Sequence, residues 1–336
     1  MDDGIRLLYF YRGRKEDYPP PFVLLLEARG WKIDPVAVSD DAAAFGILKV
    51  WRWGRKFSSY DVIAANEYFL TWAVCVRLIN VRRKPKVAAM SFNQSRRLLL
   101  TGVTAIDRIL NRIWRPVSMY LVHSKAEARL FGEIHDIAAD KFIFSHWGHD
   151  LPQLQPEEIG PPRTPYVSMI GRNNRDLATF CAAVENTGVT GVIITARYIV
   201  DRYLGEIPES VLVLTDRALE ECIVYMQGSF AHLVLVMDGE RGAGHITAVI
   251  AMLLGKPQIF SDVGPLEDYL IDQVNGIAVR IGDVEGVSNA IQALFNDSDL
   301  AAKLGANGQS FARRELSLGA ASARAADALC ALAKQN

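Results

Sequence analysis

The sequence has little with which to staple itself, cross a membrane or hold a metal. Its four cysteines (Cys75, Cys181, Cys222 and Cys330) are scattered with no C-x-x-C pair. That indicates neither a disulfide framework nor a zinc site, and makes a reducing, cytoplasmic setting the default. No apolar run approaches the roughly 20 residues of a spanning helix. The best candidate, Tyr68 to Val81, is short and is interrupted by Arg77. Met1-Asp2-Asp3-Gly4 is acidic and lacks a signal-peptide pattern. No group of carboxylates or histidines has metal-ligand spacing, so neither a metal nor a cofactor is expected. With no recognised RNA or DNA module and no aromatic-lined strand, nucleic acid is not an expected partner.

What is present is material for two folded domains. A chain of 336 residues, half of them hydrophobic and 22% charged, is long for one core and too apolar for disorder. Its near-neutral net charge conceals a division. Residues 1–150 carry 23 basic and 16 acidic side chains, a net of +7, against 14 and 22 in the remainder, a net of −8. A basic N-terminal half is suited to an anionic partner, and a phospholipid surface ranks ahead of nucleic acid.

Strand-like and helix-like segments alternate throughout. Ile5–Tyr11, Trp31–Val38, Tyr60–Ala65, Val87–Met90, Met119–His123 and Lys141–Phe144 read as strands in the first half. Val167–Ile170, Val192–Thr195, Val211–Leu214, Leu233–Val236 and Gln258–Phe260 do so in the second. Near-continuous apolar strands separated by helices predict parallel sheets covered on both faces. Ligands of such sheets sit beyond the carboxyl ends of the strands. In the first half that rule nominates Arg12-Gly13-Arg14, Asn66-Glu67, Ser91-Phe92-Asn93-Gln94 and His123-Ser124. Residues 1–150 form one predicted domain and proline-rich 151–165 a linker. Residues 166–336 form a second domain whose last helix, Ala320–Lys334, is expected to return to the first.

The most informative segment is Gly242-Ala243-Gly244-His245-Ile246-Thr247, a glycine turn running into an apolar helix that Gly255-Lys256-Pro257 ends. Glycines let the backbone approach a ligand, and the free N–H groups and dipole of a helix start favour an anion, phosphate above all. Then come a strand and Val263-Gly264-Pro265-Leu266-Glu267-Asp268-Tyr269-Leu270, with Asp272-Gln273-Val274-Asn275-Gly276 behind it. Upstream stands Gly171-Arg172-Asn173-Asn174-Arg175-Asp176. Together these resemble the donor-binding half of the group 1 glycosyltransferases over roughly Tyr166 to Gln309.

That resemblance implies the α/β GT-B fold, two Rossmann-like domains with parallel sheets facing a central cleft. It implies transfer, with retention, from a nucleotide sugar to a saccharide or lipid-linked acceptor in glycan or cell-surface polysaccharide synthesis. The N-terminal domain would bind the acceptor and the C-terminal domain the donor. Arg172 and Arg175 would clamp the diphosphate, helped by Gly242 to Thr247, with His245 or Thr247 reaching phosphate or sugar. Glu267 would lie near the nucleotide. Gly13 and Asn93 would serve the donor from the N-terminal domain, where Glu67 is the nearest carboxylate for a general base. The Asp-x-Asp metal motif of the other major glycosyltransferase fold is absent from the strand ends, so the reaction is expected to be metal-independent. One departure matters. Two glutamates common in the family fall here on Gly242 and Ile250, with Glu240 two residues from the first position. The stereochemical outcome and the ribose contact are thereby left open. A noncatalytic partner protein, or an inverting transferase or epimerase of the same fold, stands as the alternative.

The basic excess of the first half concentrates in Arg82–Lys86 and in the stretch Arg96–Arg115, where Ile106, Leu110, Ile113 and Trp114 alternate with Arg108, Arg112 and Arg115. This suits either a helix lying in the interface of an anionic membrane or an ordinary helix packed on its own domain. The expected location is accordingly cytoplasmic, or peripheral on the inner face of a membrane.

Overall fold

A computed structural model describes the chain apart from residues 1–3, 14–17, 39–42, 80, 82, 94–106, 108–110, 153–159, 240–241 and 336. It forms two compact units: Met1–His146 with Gly319–Asn336, and Trp147–Leu318.

In the first unit β1 (Arg6–Arg12), β2 (Lys32–Val38), β3 (Val62–Asn66), β4 (Lys86–Met90), β5 (Val117–Val122) and β6 (Phe142–Phe144) form a sheet. Its order is β2-β1-β3-β4-β5-β6, all parallel. Alternate side chains go to opposite faces, as the two-residue period requires. Leu8, Phe10, Ile63, Ala65, Val87 and Ala89 join one core with Val74 and Leu78 of the helix Tyr68–Leu78. Leu7, Tyr9, Val62, Ala64 and Ala88 join another, which is closed by Ala325, Ala326, Leu329 and Leu332 of the helix Leu318–Lys334. Lys86 fastens that last helix by donating to the carbonyls of Leu332, Ala333 and Gln335.

The second unit is built likewise from β7 (Tyr166–Ile170), β8 (Thr190–Thr195), β9 (Val211–Thr215), β10 (Ala231–Val234), β11 (Gln258–Ser261) and β12 (Gly276–Val279). Their order is β12-β11-β10-β7-β8-β9, again all parallel. Strand succession reverses between β7 and β10, the position at which ligands enter open α/β sheets.

Two details differ from the sequence reading. β10 is displaced two residues toward the N-terminus, because Leu235 and Val236 leave the parallel ladder to bond the loop after β7. β12 was not anticipated, since its four residues continue directly from Asn275, inside the motif that dominated the reading.

The expected interfacial stretch is corrected in part. Trp114 is 3% exposed and packs among Tyr68, Phe92 and His135, so it cannot reach a headgroup layer. Gln94 and most of the Arg96–Arg115 stretch, with Ile106, Arg108 and Leu110, lie outside the described residues, as do Arg82, Arg14 and Glu240.

Candidate active site

The loops after β7 and β10 meet at the reversal point of the second sheet. Asp176 N–H donates to Leu235 O at 3.1 Å, Met237 N–H to Asn174 O at 3.2 Å, and Asn174 Nδ2 to Asp238 O at 2.8 Å. Arg175 lies inside this junction, 4% exposed. Its Nε donates to Ile170 O (3.3 Å), Nη1 to Asn173 O (3.0 Å) and Nη2 to Thr247 Oγ1 (3.1 Å). Two carbonyls and a hydroxyl hold the guanidinium, and no carboxylate among the described residues pairs with it. Burial lowers its pKa to about 10, so it stays charged at neutral pH. A buried charge without a counter-ion is costly, and a bound anion would offset that cost.

Glycine is required on both sides of this side chain. Gly171 has φ +145°, and a Cβ there would fall 2.5 Å from Arg175 Nη2. Gly244 has φ +97°, and its Cβ would meet Val234 Cγ1 at 2.5 Å. Gly244 is the N-cap of the helix His245–Leu253. Ala248 N–H makes the bond back to Gly244 O at 2.9 Å, so the N–H groups of residues 245–247 precede the ladder. Thr247 donates its hydroxyl to Gly244 O at 3.1 Å while accepting from Arg175. A positive group, a helix N-terminus and bare backbone thus converge on one place. That combination is suited to a diphosphate.

The other expected donor residues of this unit fall around it. Arg172 is exposed on the loop beyond β7, and Glu267 is exposed on the turn whose Leu266 N–H bonds Val263 O at 2.9 Å. A third arginine beyond a strand end of this sheet, Arg197 after β8, is also exposed, its N–H bonding Asp216 Oδ2 at 3.3 Å. His245 is buried. Its Nε2–H donates to Pro265 O at 2.7 Å, and its ring stacks on Tyr269 with centroids 4.6 Å apart. The Nε2 atom is therefore engaged in joining the helix to the 261–270 segment. Gly242 and Ala243 flank the loop, and Ile246 is exposed in the first helical turn. Ile250, one of the two family glutamate positions, is buried with Tyr166, Ile194 and Ile223.

In the first unit the corresponding reversal lies between β1 and β3. Arg12 Nη1 pairs with Glu67 Oε1 at 3.2 Å, with both side chains partly exposed. Gly13 and Glu67 each have φ +146°, and Glu67 O accepts from Thr71 N and Oγ1 as its helix begins. Asn93 follows β4, half-buried. His123 bridges Ser145 O (2.9 Å) and Ser91 Oγ (3.1 Å), and burial lowers its pKa. Ser124 caps the next helix, accepting from Glu127 N at 3.0 Å.

Sequence reasoning missed the buried line Ser229, Ser168 and His232, linked at 3.0 Å and 3.0 Å beneath this junction. Burial first, then the Arg175 charge, lower the His232 pKa to about 3. Spacing carried no signal for it, because the residues come from three different elements.

The fold defines a class. Solved structures superpose over nearly the whole chain. HepE of Anabaena in complex with UDP gives a TM-score of 0.74 at 16% identity, covering 97% of this chain and 100% of that one. Sucrose-phosphate synthase of Thermosynechococcus elongatus gives 0.73 at 15% identity, covering 98% and 99%. The catalytic domain of starch synthase IV of Arabidopsis thaliana, bound to ADP and acarbose, gives 0.69 at 11% identity, covering 99% and 100%. At these identities the likeness establishes the GT-B fold. No curated protein matches the chain. The family match is to "Glycosyl transferases group 1" over residues 207–311, which include the glycine loop, the helix after it and the Glu267 turn. Residues 207–311 thus carry the group 1 glycosyltransferase signature, on a chain with the GT-B fold.

Proposed function

We propose that the enzyme transfers a sugar from a nucleoside diphosphate donor bound at the β7/β10 junction to a saccharide or lipid-linked acceptor in glycan or cell-surface polysaccharide synthesis. The observation that carries the donor half is Arg175: a guanidinium held under two glycine loops and a helix N-terminus, without a carboxylate. As the glycosidic bond breaks, negative charge grows on the departing diphosphate. Preorganised charges and N–H groups stabilise it without reorganising. Arg175 supplies a fixed charge from below, the first turn of His245–Leu253 supplies N–H groups, and Arg172 supplies a mobile guanidinium. No group of three or more His, Cys, Asp or Glu side chains among the described residues is placed to hold a metal. The cationic groups above do the work a metal would do elsewhere. A uridine nucleotide is the first donor to try, since HepE of Anabaena was solved with UDP and with UDP-glucose.

Retention of configuration is the outcome the family resemblance supports. Inversion is the second reading, favoured by one observation: Glu67 places a carboxylate, steadied by Arg12, at the end of β3. The test is a thermal-shift screen of nucleotide sugars followed by turnover of a labelled donor. A bound ligand raises the unfolding midpoint through mass action. The reading fails if no nucleoside diphosphate or nucleotide sugar shifts the midpoint at millimolar concentration.

A further inference from the structure

The helix Ala43–Trp53 and the short helix Gly54–Ser59 that continues it have apolar residues on two sides. Ile47, Val50, Trp53 and Phe57 pack into the core of the first unit. Leu48 and Trp51 face outward, 62% and 51% exposed. They stand three residues apart, with Arg52 and Arg55 completing an i, i+3, i+4, i+7 stripe on that outer side. Lys49 and Lys56 flank it, and residues 43–60 contain four basic side chains and no acidic one. Arg77, from the neighbouring helix Tyr68–Leu78, lies over the Trp51 ring with its guanidinium carbon 5.8 Å from the centroid. It passes where Gly54 has no side chain, since a Cβ there would strike Arg77 Nε. Arg77 Nε is buried without a hydrogen-bond partner.

We propose that this stripe docks the enzyme on an anionic lipid surface. Tryptophan and leucine enter the headgroup boundary, while Arg52 and Arg55 meet lipid phosphates. The occupant follows from charge and shape together. An acid-free run of cations repels a second copy of itself, and two large apolar groups ringed by cations suit a layer that is apolar beneath and anionic above. No single helix among the described residues is long and apolar enough to cross a membrane, so the contact is with the surface. Of the sequence-nominated cluster, Arg83 pairs with Asp61 at 3.5 Å and Lys86 is turned onto the last helix, so the proposal does not rest on them. The inference is independent of the donor reading.

The experiment is co-sedimentation of the full chain with phosphatidylcholine vesicles with and without 30% phosphatidylglycerol, at low and at physiological salt. Binding is expected to the anionic vesicles alone, and to weaken with salt. Arg52→Glu with Arg55→Glu should lower the partition coefficient by about tenfold or more. Leu48→Ser with Trp51→Ser should lower it by a similar factor while leaving the salt dependence that remains. All four side chains are exposed, so circular dichroism and unfolding midpoints are expected to match the parent. Three results would overturn the proposal. One is negligible binding to anionic vesicles at low salt. The second is binding unmoved by either double substitution. The third is a dimer in analytical ultracentrifugation that Trp51→Ser dissociates, which would assign the stripe to a second copy. Donor-induced midpoint shifts measured on the same variants keep this outcome separate from that of the nucleotide site.

Discussion

Arg175 donates its Nη2–H to the Thr247 hydroxyl at 3.1 Å, so the loop after β7 is tied to the first turn of the helix that follows β10. That bond crosses the point where the order of the second sheet reverses. It fixes a buried positive charge beside the N-terminus of a helix. Thr247 in turn donates its hydroxyl to Gly244 O, which sets the first turn of the helix.

The first prediction concerns the two arginines. Arg175→Met should weaken UDP binding by about 1.5–3 kcal/mol, the range for interactions with charged groups, and by nearly the same amount at low and high salt. Arg172→Ala should cost less, and its effect should fade with salt, because an exposed charge is screened and a buried one is not. Titration calorimetry at two ionic strengths checks both. Equal, equally salt-sensitive losses would remove Arg175 from its special place.

The second concerns Gly244. An alanine there must adopt φ +97° and overlap Val234 Cγ1. Gly244→Ala should destabilise the protein by about 1–3 kcal/mol through strain and overpacking, and should lower nucleotide affinity with it. Ile246→Ala, at an exposed position of the same turn, should change neither by more than about 0.5 kcal/mol. Denaturant unfolding with and without UDP measures all four quantities.

Much of this was legible in the sequence, and the reasons are physical. Strands such as Val62–Ala65 and Val192–Ile194 are buried on both faces and therefore read as unbroken apolar runs. The glycine loop showed itself because only glycine tolerates Gly244's backbone angle and close contact. The relative weight of Arg172 and Arg175 was not legible, because only two loop residues separate an exposed side chain from a buried one and no periodicity governs a loop. His245 read as a ligand candidate because a histidine opening a helix has that chemistry. The sequence did not show that Pro265 and Tyr269, 20 or more positions away, hold its Nε2 and one face of its ring. The stripe at Leu48 and Trp51 escaped notice because apolar residues on two sides of one helix blur the helical period.

A third prediction follows from His135, whose pKa burial lowers to about 4 from an ordinary 6.5. Between those values the unfolded chain holds a proton that the folded protein excludes. Stability from this group is therefore complete above about pH 6.5 and is lost as pH falls toward 4, by about 3 kcal/mol in all. His135→Phe, which suits the surrounding ring of Tyr68, Phe92 and Trp114, should flatten the fall in unfolding free energy over that window. His123 and His232, whose pKa values burial also lowers, contribute to the acid slope that remains. Urea unfolding at half-unit pH steps tests it, and an undiminished slope would be contrary.

A fourth is that turnover persists in excess EDTA. Arg175, Arg172 and the helix N-terminus already place positive charge where the leaving diphosphate forms, so a divalent ion adds little. Loss of activity in EDTA, restored by magnesium or manganese, would contradict this.

The last prediction addresses the first unit. Glu67 and Arg12 form a partly exposed pair at 3.2 Å, the kind worth about 0–1 kcal/mol to stability. Glu67→Gln should therefore leave the unfolding midpoint nearly unchanged. If Glu67 takes the acceptor proton, the same change should lower kcat by about 100-fold or more, the usual contribution of a positioned base, with KM for the donor little altered. A base at this position also implies inversion, since it activates the acceptor for a single displacement. The anomeric configuration of the product, read by proton NMR early in the reaction, must then be opposite to that of the donor. A retained configuration together with a mild Glu67→Gln phenotype would leave Glu67 as the group that holds Arg12 in place. The full kcat loss together with retention is the one combination that neither role allows.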